Sequence, residues 1–428
     1  MLRPCKAGSP MQSRSGTGAG RRVAVSGVGA VCGLGWGVAP LWEGLRAGRV
    51  GFAPLRRFDP SQHRTRLAAE ACEPPAAFVG SCPGWRRLSV ADRFAVFAAR
   101  EAVECAGLPL SLGEEAGVYF GSSTGGMFES EVFFGEFLRD RRRARLSALA
   151  SQQVNGPGDA VARQLGTAGP VETLSSACAS GALALGVALE AVRSGEVEVA
   201  VAGGSDSLCQ LTYAGFNALR SVDEVPCRPF RAGRAGMSFG EGAAVLVLEP
   251  LERVLARGAA PLAELAGAGA SCDAHHMTAP DPTGTGAAAA LAAALADAGL
   301  PAGAVDFVNV HGTGTPLNDA AEWRALQRIF GERAGEIPLV ATKALVGHLL
   351  GCSGALEAVA TILCLRHGEL HPAPPGEDRG EADPELPVSL VVGEPLLFPE
   401  ARTAVSTSLA FGGSNAALVF SRWTGPAA

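Results

Sequence analysis

The chain has 428 residues, 56 of them glycine, with 47% hydrophobic and 18% charged side chains; that composition folds, and its length calls for two core units. A net charge of −6 argues against wholesale nucleic-acid binding, and the longest unbroken apolar stretch, Ala287 to Ala296, is about half of a bilayer crossing, so no membrane span is expected. Eleven cysteines, odd in number and without a CxxC pair, speak against a disulfide framework and a zinc site and point to a reducing cytoplasm.

Residues 1–20 are expected to form a flexible tail: the first 22 residues are rich in Arg, Ser and Gly and lack the apolar core of a secretory signal. A β/α succession follows. Strands are expected at Val23 to Ser26, Gly117 to Phe120, Val171 to Leu174, Val197 to Ala202 and Ala243 to Leu248, then, after a helix over Leu251 to Arg257, at Leu262 to Ala266, Phe307 to Val310 and Ala417 to Phe420. Several are apolar on both faces, as strands between helical layers are. Gly27-x-Gly29-x-x-x-Gly33 after the first strand has one residue too many for a dinucleotide fingerprint, and no acidic residue closes a second strand at the required distance. The adjacent His275 and His276 cannot form a helix-borne metal pair, so no metal is expected.

The chain also repeats itself. Ser180-Gly-Ala-Leu183 runs through an Ala/Leu helix to Arg193-x-Gly195-Glu196, and Ser353-Gly-Ala-Leu356 runs at the same spacing to Arg366-x-Gly368-Glu369. Upstream, Ala106-Gly-Leu-Pro109 leads to a strand and Gly121-Ser122, while Ala298-Gly-Leu-Pro301 leads to a strand and His311-Gly312-Thr313. Two fused halves, 21–261 and 262–428, follow, with a site expected at their pseudo-twofold seam.

Cys178 lies at the turn between the strand Val171–Leu174 and a long helix, where unpaired N–H groups and the helix dipole favour thiolate over thiol. A small buried residue is the alternative. His311 ends the strand Phe307 to Val310 and opens His311-Gly-Thr-Gly-Thr-Pro316; a satisfied core histidine would look the same. His348, in Thr342-Lys343-Ala-Leu-Val-Gly347-His348, stands just before the repeat helix equivalent to the one after Cys178. Lys343 is one of only two lysines among 36 basic residues. Two histidines on separate loops can both donate to one developing oxyanion, whereas a Cys–His–Asn or Cys–His–Asp hydrolase leaves the second histidine unexplained. Glu357, 14 residues after Lys343, is either its ion-pair partner or a solvated helix residue. The glycines after Phe411 permit close approach, so the Phe411 N–H pairs with that of Cys178 as an oxyanion hole, the ring gating the cavity, or the segment is a plain hairpin turn.

These motifs, Ser176-Ala-Cys178-Ala-Ser-Gly, Arg228-Pro-Phe230 with Gly240-Glu-Gly242, His311-Gly-Thr-Gly-Thr-Pro, Thr342-Lys343 with Gly347-His348, and Phe411-Gly-Gly-Ser-Asn415, resemble those of the beta-ketoacyl-acyl carrier protein synthases, and the match spans nearly all of Arg21 to Arg422. The resemblance implies a thiolase-like α-β-α-β-α five-layer sandwich and a ping-pong decarboxylative Claisen condensation. By it, Cys178 is the acyl acceptor, His311 and His348 drive malonyl decarboxylation, Lys343 and Glu357 are the active-site lysine and its supporting carboxylate, Phe411 is the gate, and Thr124 lies where the acyl pocket meets the dimer partner.

It further implies no redox or metal cofactor, substrates carried on the phosphopantetheine of an acyl carrier protein, and a homodimer, with a heterodimer containing a related subunit left open. An acidic carrier needs a basic landing site, for which Arg139, Arg141, Arg142, Arg143 and Arg145, with Arg86, Arg87 and Arg228, are candidates. A non-catalytic chain-length-factor subunit is the alternative from another class, but that class typically lacks the nucleophile kept here; an initiating synthase would have Asn at His348. Three departures from the family pattern stand out: Arg231 in place of Asp, Ala410 in place of Gly, and Leu409 in place of an aromatic. They imply a pathway-dedicated enzyme with an altered gate.

Overall fold

The computed structural model describes residues 20–375 and 380–425, so the expected tail lies outside the described residues apart from Gly20. In the first half, β1 (Val23–Cys32), β2 (Ala116–Gly121), β3 (Val171–Leu174), β4 (Val199–Asp206) and β5 (Gly242–Pro250) lie side by side in the order β3-β2-β4-β5-β1. In the second, β6 (Ala263–Cys272), β7 (Phe307–Asn309), β8 (Pro338–Val340), β9 (Thr403–Leu409) and β10 (Ser414–Ser421) lie in the order β8-β7-β9-β10-β6. The two orders are the same by rank, and so are the directions: the second strand of each half runs parallel to the third and fourth, and the fifth runs antiparallel to the fourth and first. Even an irregularity is duplicated, a register shift between Val25 and Gly27 in β1 and between Leu265 and Gly267 in β6. The two sheets join edge to edge through Ala24–Glu264 and Val25–Ala263.

Helices close both faces of each sheet. On the outside of the first sheet lie α1 (Val90–Cys105), begun by a capping box of Ser89 and Asp92, and α2 (Gly156–Leu165). Between the sheets run α3 (Ser180–Ser194) and α6 (Ser353–His367), and outside the second sheet lie α4 (Thr285–Asp297) and α5 (Pro316–Phe330). This is the five-layer α-β-α-β-α sandwich that the resemblance implies.

Helix α6 is buried from Ser353 through Leu365, which explains its apolar residues on every side. Residues 177–194, which contain α3, are long and apolar enough by composition to cross a membrane, but this is a core helix between two sheets. The two core helices approach where the repeat places glycine. A Cβ at Gly181 would lie 3.1 Å from that of Ala355, and one at Gly354 would lie 2.8 Å from that of Ala182. In the rejected dinucleotide motif, Gly27 and Gly29 have a packing role: a Cβ at either would fall about 2 Å from a carbonyl oxygen of α1.

Two strands, β8 and β9, were not expected from the sequence, and β3 lies as an exposed edge. β8 is only three residues long, and β9, Thr403-Ala-Val-Ser-Thr-Ser-Leu409, carries hydroxyls along its length yet is wholly buried.

Candidate active site

The chain leaves β3 and turns sharply at Ala177, which takes a positive φ of 45°. That strained conformation puts Cys178 at the tip of an elbow ahead of α3. Three hydrogen bonds hold it: Ser180 Oγ accepts from the Ser176 N–H (2.8 Å) and donates to the Ala177 carbonyl (2.6 Å), to which Ser123 Oγ also donates (3.0 Å). The second half repeats the turn. Leu350 has a positive φ of 54°, and Ser353 Oγ accepts from the Leu349 N–H at 2.8 Å. In this correspondence Gly351 stands where Cys178 does.

Burial changes the expected state of the thiol. Cys178 is 6% exposed, and desolvation pushes its thiol up to about 11, although Lys343 and the N–H groups of Phe411 and of Cys178 itself pull the other way. At rest the group is a neutral thiol, not the thiolate that the helix end alone would favour.

His348 follows Gly347 and three residues later the elbow reaches Gly351. Its Nδ1 accepts from the Leu350 N–H (2.9 Å) and lies 3.0 Å from Ser353 Oγ. A ring nitrogen that accepts a backbone N–H carries no proton, so the proton is on Nε2, which is buried and makes no hydrogen bond within the described residues. His311, at the end of β7, faces His348 with ring centroids 5.6 Å apart at 88°. Lys343 Nζ lies 3.1 Å from His311 Nδ1 and donates to its carbonyl oxygen at 2.6 Å. An ammonium there leaves the His311 proton on Nε2 as well. Burial and the nearby Lys343 charge hold both rings well below the ordinary histidine range, so both are neutral.

Lys343 and Glu357 form a closely hydrogen-bonded ion pair, both almost fully buried. Glu357 is therefore not a solvated helix residue; burial pushes its carboxyl up to about 7 against the pull of Lys343.

Cys178, His311, His348 and Phe411 line one cavity of about 230 Å³, with Thr313 and Thr315 on its wall. The Phe411 N–H is directed at the Cys178 sulfur, while the same segment makes the tight connection from β9 to β10. The Phe411 ring stacks on Phe216 at 5.1 Å and 19°. Ala410, the departure from glycine, is in ordinary extended backbone (φ −130°, ψ 154°), where a Cβ adds no strain; positive φ falls on Gly412 and Gly413. Arg231 is outside the cavity lining and donates from Nε and its guanidinium to the Gly380 carbonyl, at 3.0 and 2.8 Å, which makes it a loop clamp.

Other expected site residues sit elsewhere. Thr124 does not line this cavity, and its hydroxyl donates to Asp206 (2.9 Å). Arg139, Arg141, Arg142, Arg143 and Arg145 are exposed at and beyond the end of the helix Met127–Arg139, and Arg86 and Arg87 are exposed on the turn Trp85–Arg87. Arg228 is largely buried and lies 3.5 Å from Asp223, so it is not an open docking residue. The exposed arginine on the cavity rim is Arg220, which the motifs did not single out.

Two buried acids were also missed. Glu322, from α5, accepts the N–H groups of His311 (2.7 Å) and Gly312 (2.9 Å) and the Thr407 hydroxyl (2.8 Å). Asp206, at the end of β4, accepts from the loop Ser122–Thr124 and from Gly351. Neither stands in a motif; each acquires its partners only when distant loops are folded together.

Residues 20–253 match the family described as "Beta-ketoacyl synthase, N-terminal domain", and residues 262–377 match "Beta-ketoacyl synthase, C-terminal domain". Among curated proteins, a "3-oxoacyl-[acyl-carrier-protein] synthase 2" of Synechocystis sp. is 35% identical over 416 residues, covering 94% of this chain and 98% of its own. Among solved structures, "The ishigamide ketosynthase/chain length factor" superposes with a TM-score of 0.90 at 34% identity, over 95% of this chain and all of that one. A "type II PKS acyl-carrier protein in complex with its ketosynthase bound to the hexaketide" superposes with a TM-score of 0.86 at 26% identity, over 94% of this chain and all of that one.

Proposed function

The chain belongs to the beta-ketoacyl synthase family and is an acyltransferase, a 3-oxoacyl-acyl-carrier-protein synthase; within that activity we propose that Cys178 takes the acyl group and that His311 and His348 drive carbon–carbon bond formation. The observation that carries these roles is the proton arrangement. Both imidazoles are neutral, both are approached by a donor at Nδ1, and both are left with Nε2–H in the cavity shared with Cys178.

In the first half-reaction the Cys178 sulfur attacks the carbonyl of an acyl thioester. The N–H groups of Cys178 and Phe411 hold the tetrahedral oxyanion, the pantetheine sulfur leaves, and the proton lost from Cys178 ends on that departing thiol. In the second, a malonyl thioester loses CO2. The electron pair of the broken carbon–carbon bond becomes an enolate whose oxygen is held by the two Nε2–H donors, and its carbon attacks the acyl-Cys178 carbonyl. Collapse breaks the carbon–sulfur bond, the Cys178 sulfur takes up a proton, and 3-oxoacyl carrier thioester is released. Lys343 keeps His311 in the donor tautomer and Glu357 balances its charge. Loss of CO2 supplies the driving force, so the chemistry calls for no redox or metal cofactor.

Both substrates are thioesters on the phosphopantetheine of an acyl carrier protein. Its acidic surface docks on the exposed Arg139, Arg141, Arg142, Arg143 and Arg145, with Arg86 and Arg87, and Arg220 guides the phosphate at the rim. The protein works as a homodimer paired through β3. Support comes from that strand's edge, unpaired among the described residues, and from exposed Val132 (45%), Phe134 (52%) and Leu138 (82%) on the helix Met127–Arg139. The division into halves 21–261 and 262–428 belongs to the same reading, as does a reducing cytoplasmic setting. The test is mass spectrometry of the Cys178 peptide after exposure to a panel of acyl carrier thioesters: a mass gain equal to one acyl group, confined to this peptide, is expected.

A further inference from the structure

The duplication gives the protein two elbows of one design, but only one is open to substrate. At the first, the tip residue is Cys178. At the second, the tip is Gly351, and its N–H donates to Asp206 Oδ2 at 2.7 Å. Asp206 is fully buried at the end of β4, in the half that carries the nucleophile. Its other oxygen receives the Ser122 hydroxyl (2.7 Å), the Thr124 N–H (2.8 Å) and the Thr124 hydroxyl (2.9 Å), and the Ser123 N–H lies 3.0 Å from both oxygens. All these partners are donors, the pattern that suits an acceptor-only carboxylate. Ser123, in turn, holds the Ala177 carbonyl of the first elbow through its hydroxyl. Gly351 allows the close approach, since a Cβ there would lie 2.8 Å from Asp206 Oδ2.

We propose that Asp206 is a positioning residue: its carboxylate occupies, at the Gly351 elbow, the place that the acyl oxyanion takes at the Cys178 elbow, and so locks the His348 turn and the nucleophile turn to each other across the seam. The carboxylate touches no reacting atom. It acts through Gly351, whose position fixes the Leu350 N–H that sets the His348 tautomer, and through Ser123, which braces Ala177.

The proposal rests on the roles given above to Cys178 and His348, and it predicts a split between the half-reactions. Asp206→Asn keeps one oxygen for the Ser122–Thr124 donors but turns an NH2 toward the Gly351 N–H, so the His348 turn loses its anchor while the first elbow keeps its own. Acylation of Cys178 by acyl carrier thioester is expected to stay within about threefold of the parent. Malonyl decarboxylation and condensation are expected to fall at least about 100-fold, in kcat rather than KM. Ser123→Ala removes only the brace on Ala177 and is expected to give the converse: alkylation and acylation of Cys178 slow about tenfold, with malonyl decarboxylation near the parent rate. This second variant decides the matter should Asp206→Asn not fold. Equal losses in both half-reactions, or no loss in either, for the folded variants would overturn the proposal. A parent enzyme that forms no acyl-Cys178 adduct would instead overturn the functional reading beneath it.

Discussion

Lys343 meets His311 twice, with Nζ 3.1 Å from the ring Nδ1 and 2.6 Å from the backbone carbonyl oxygen, while its ion pair with Glu357 completes the set. One buried ammonium thus fixes both the place and the tautomer of a histidine. Lys343→Met removes that donor and strands Glu357. Loss of one partner from a buried pair costs about 3 kcal/mol or more, and denaturant unfolding should show it. Condensation should fall at least about 100-fold, and Lys343→Met with Glu357→Gln should regain stability without regaining turnover.

The thiol of Cys178 lies near 11 rather than its ordinary 9 because burial disfavours the charge. Below pH 10 the thiolate is a minor form that grows about tenfold for each pH unit. The rate of Cys178 alkylation by iodoacetamide should therefore rise with a slope near one in a plot of log rate against pH from 7 to 9.5. A plateau below pH 8 would show a thiolate already formed.

Contact between the core helices at the repeated glycines leaves no room for a methyl group. In Gly354→Ala the new carbon would meet Ser408 Oγ at 2.7 Å and Ala182 Cβ at 2.8 Å. Overpacking of this kind costs about 1–3 kcal/mol, so a lowered thermal midpoint is expected. Gly135→Ala, inside the helix Met127–Arg139 and with no atom of the described residues within 4 Å of the added carbon, serves as the control: the better helix propensity of alanine should raise the midpoint slightly, not lower it.

Pairing through the β3 edge and the exposed apolar residues of the helix Met127–Arg139 predicts that charge on that helix separates the subunits. Phe134→Asp with Leu138→Asp should move the protein from dimer to monomer in analytical ultracentrifugation. A parent that sediments as a monomer, or a variant that remains fully dimeric, would count against this interface.

Much of this molecule was legible in its sequence because duplication and spacing are one-dimensional signals. Ser180-Gly-Ala-Leu and Ser353-Gly-Ala-Leu announced the core helices, and Cys178, His311, Lys343 and His348, singled out in the sequence, are brought together by the fold. What stayed hidden depends on burial. β9 reads as a polar run although it is wholly buried; Thr407, for one, donates its hydroxyl to Glu322 and the Asn309 carbonyl inside the core. Asp206 and Glu322 look like ordinary acids until the fold gathers backbone N–H groups around them. The resting state of Cys178 was misjudged for the same reason: a helix terminus is visible in sequence, but the desolvation around it is not. Ala410, one of the departures that imply an altered gate, sits in extended backbone, and the turning is done by Gly412 and Gly413.

The division of labour between Cys178 and His311 is tested most directly by intact-protein mass spectrometry on three proteins, the parent, Cys178→Ala and His311→Ala, given acyl carrier thioester and then malonyl carrier thioester. The account predicts an acyl adduct that forms and is consumed on the parent, forms and persists on His311→Ala, and never forms on Cys178→Ala. An adduct on Cys178→Ala, or its consumption by His311→Ala at the parent rate, would contradict it.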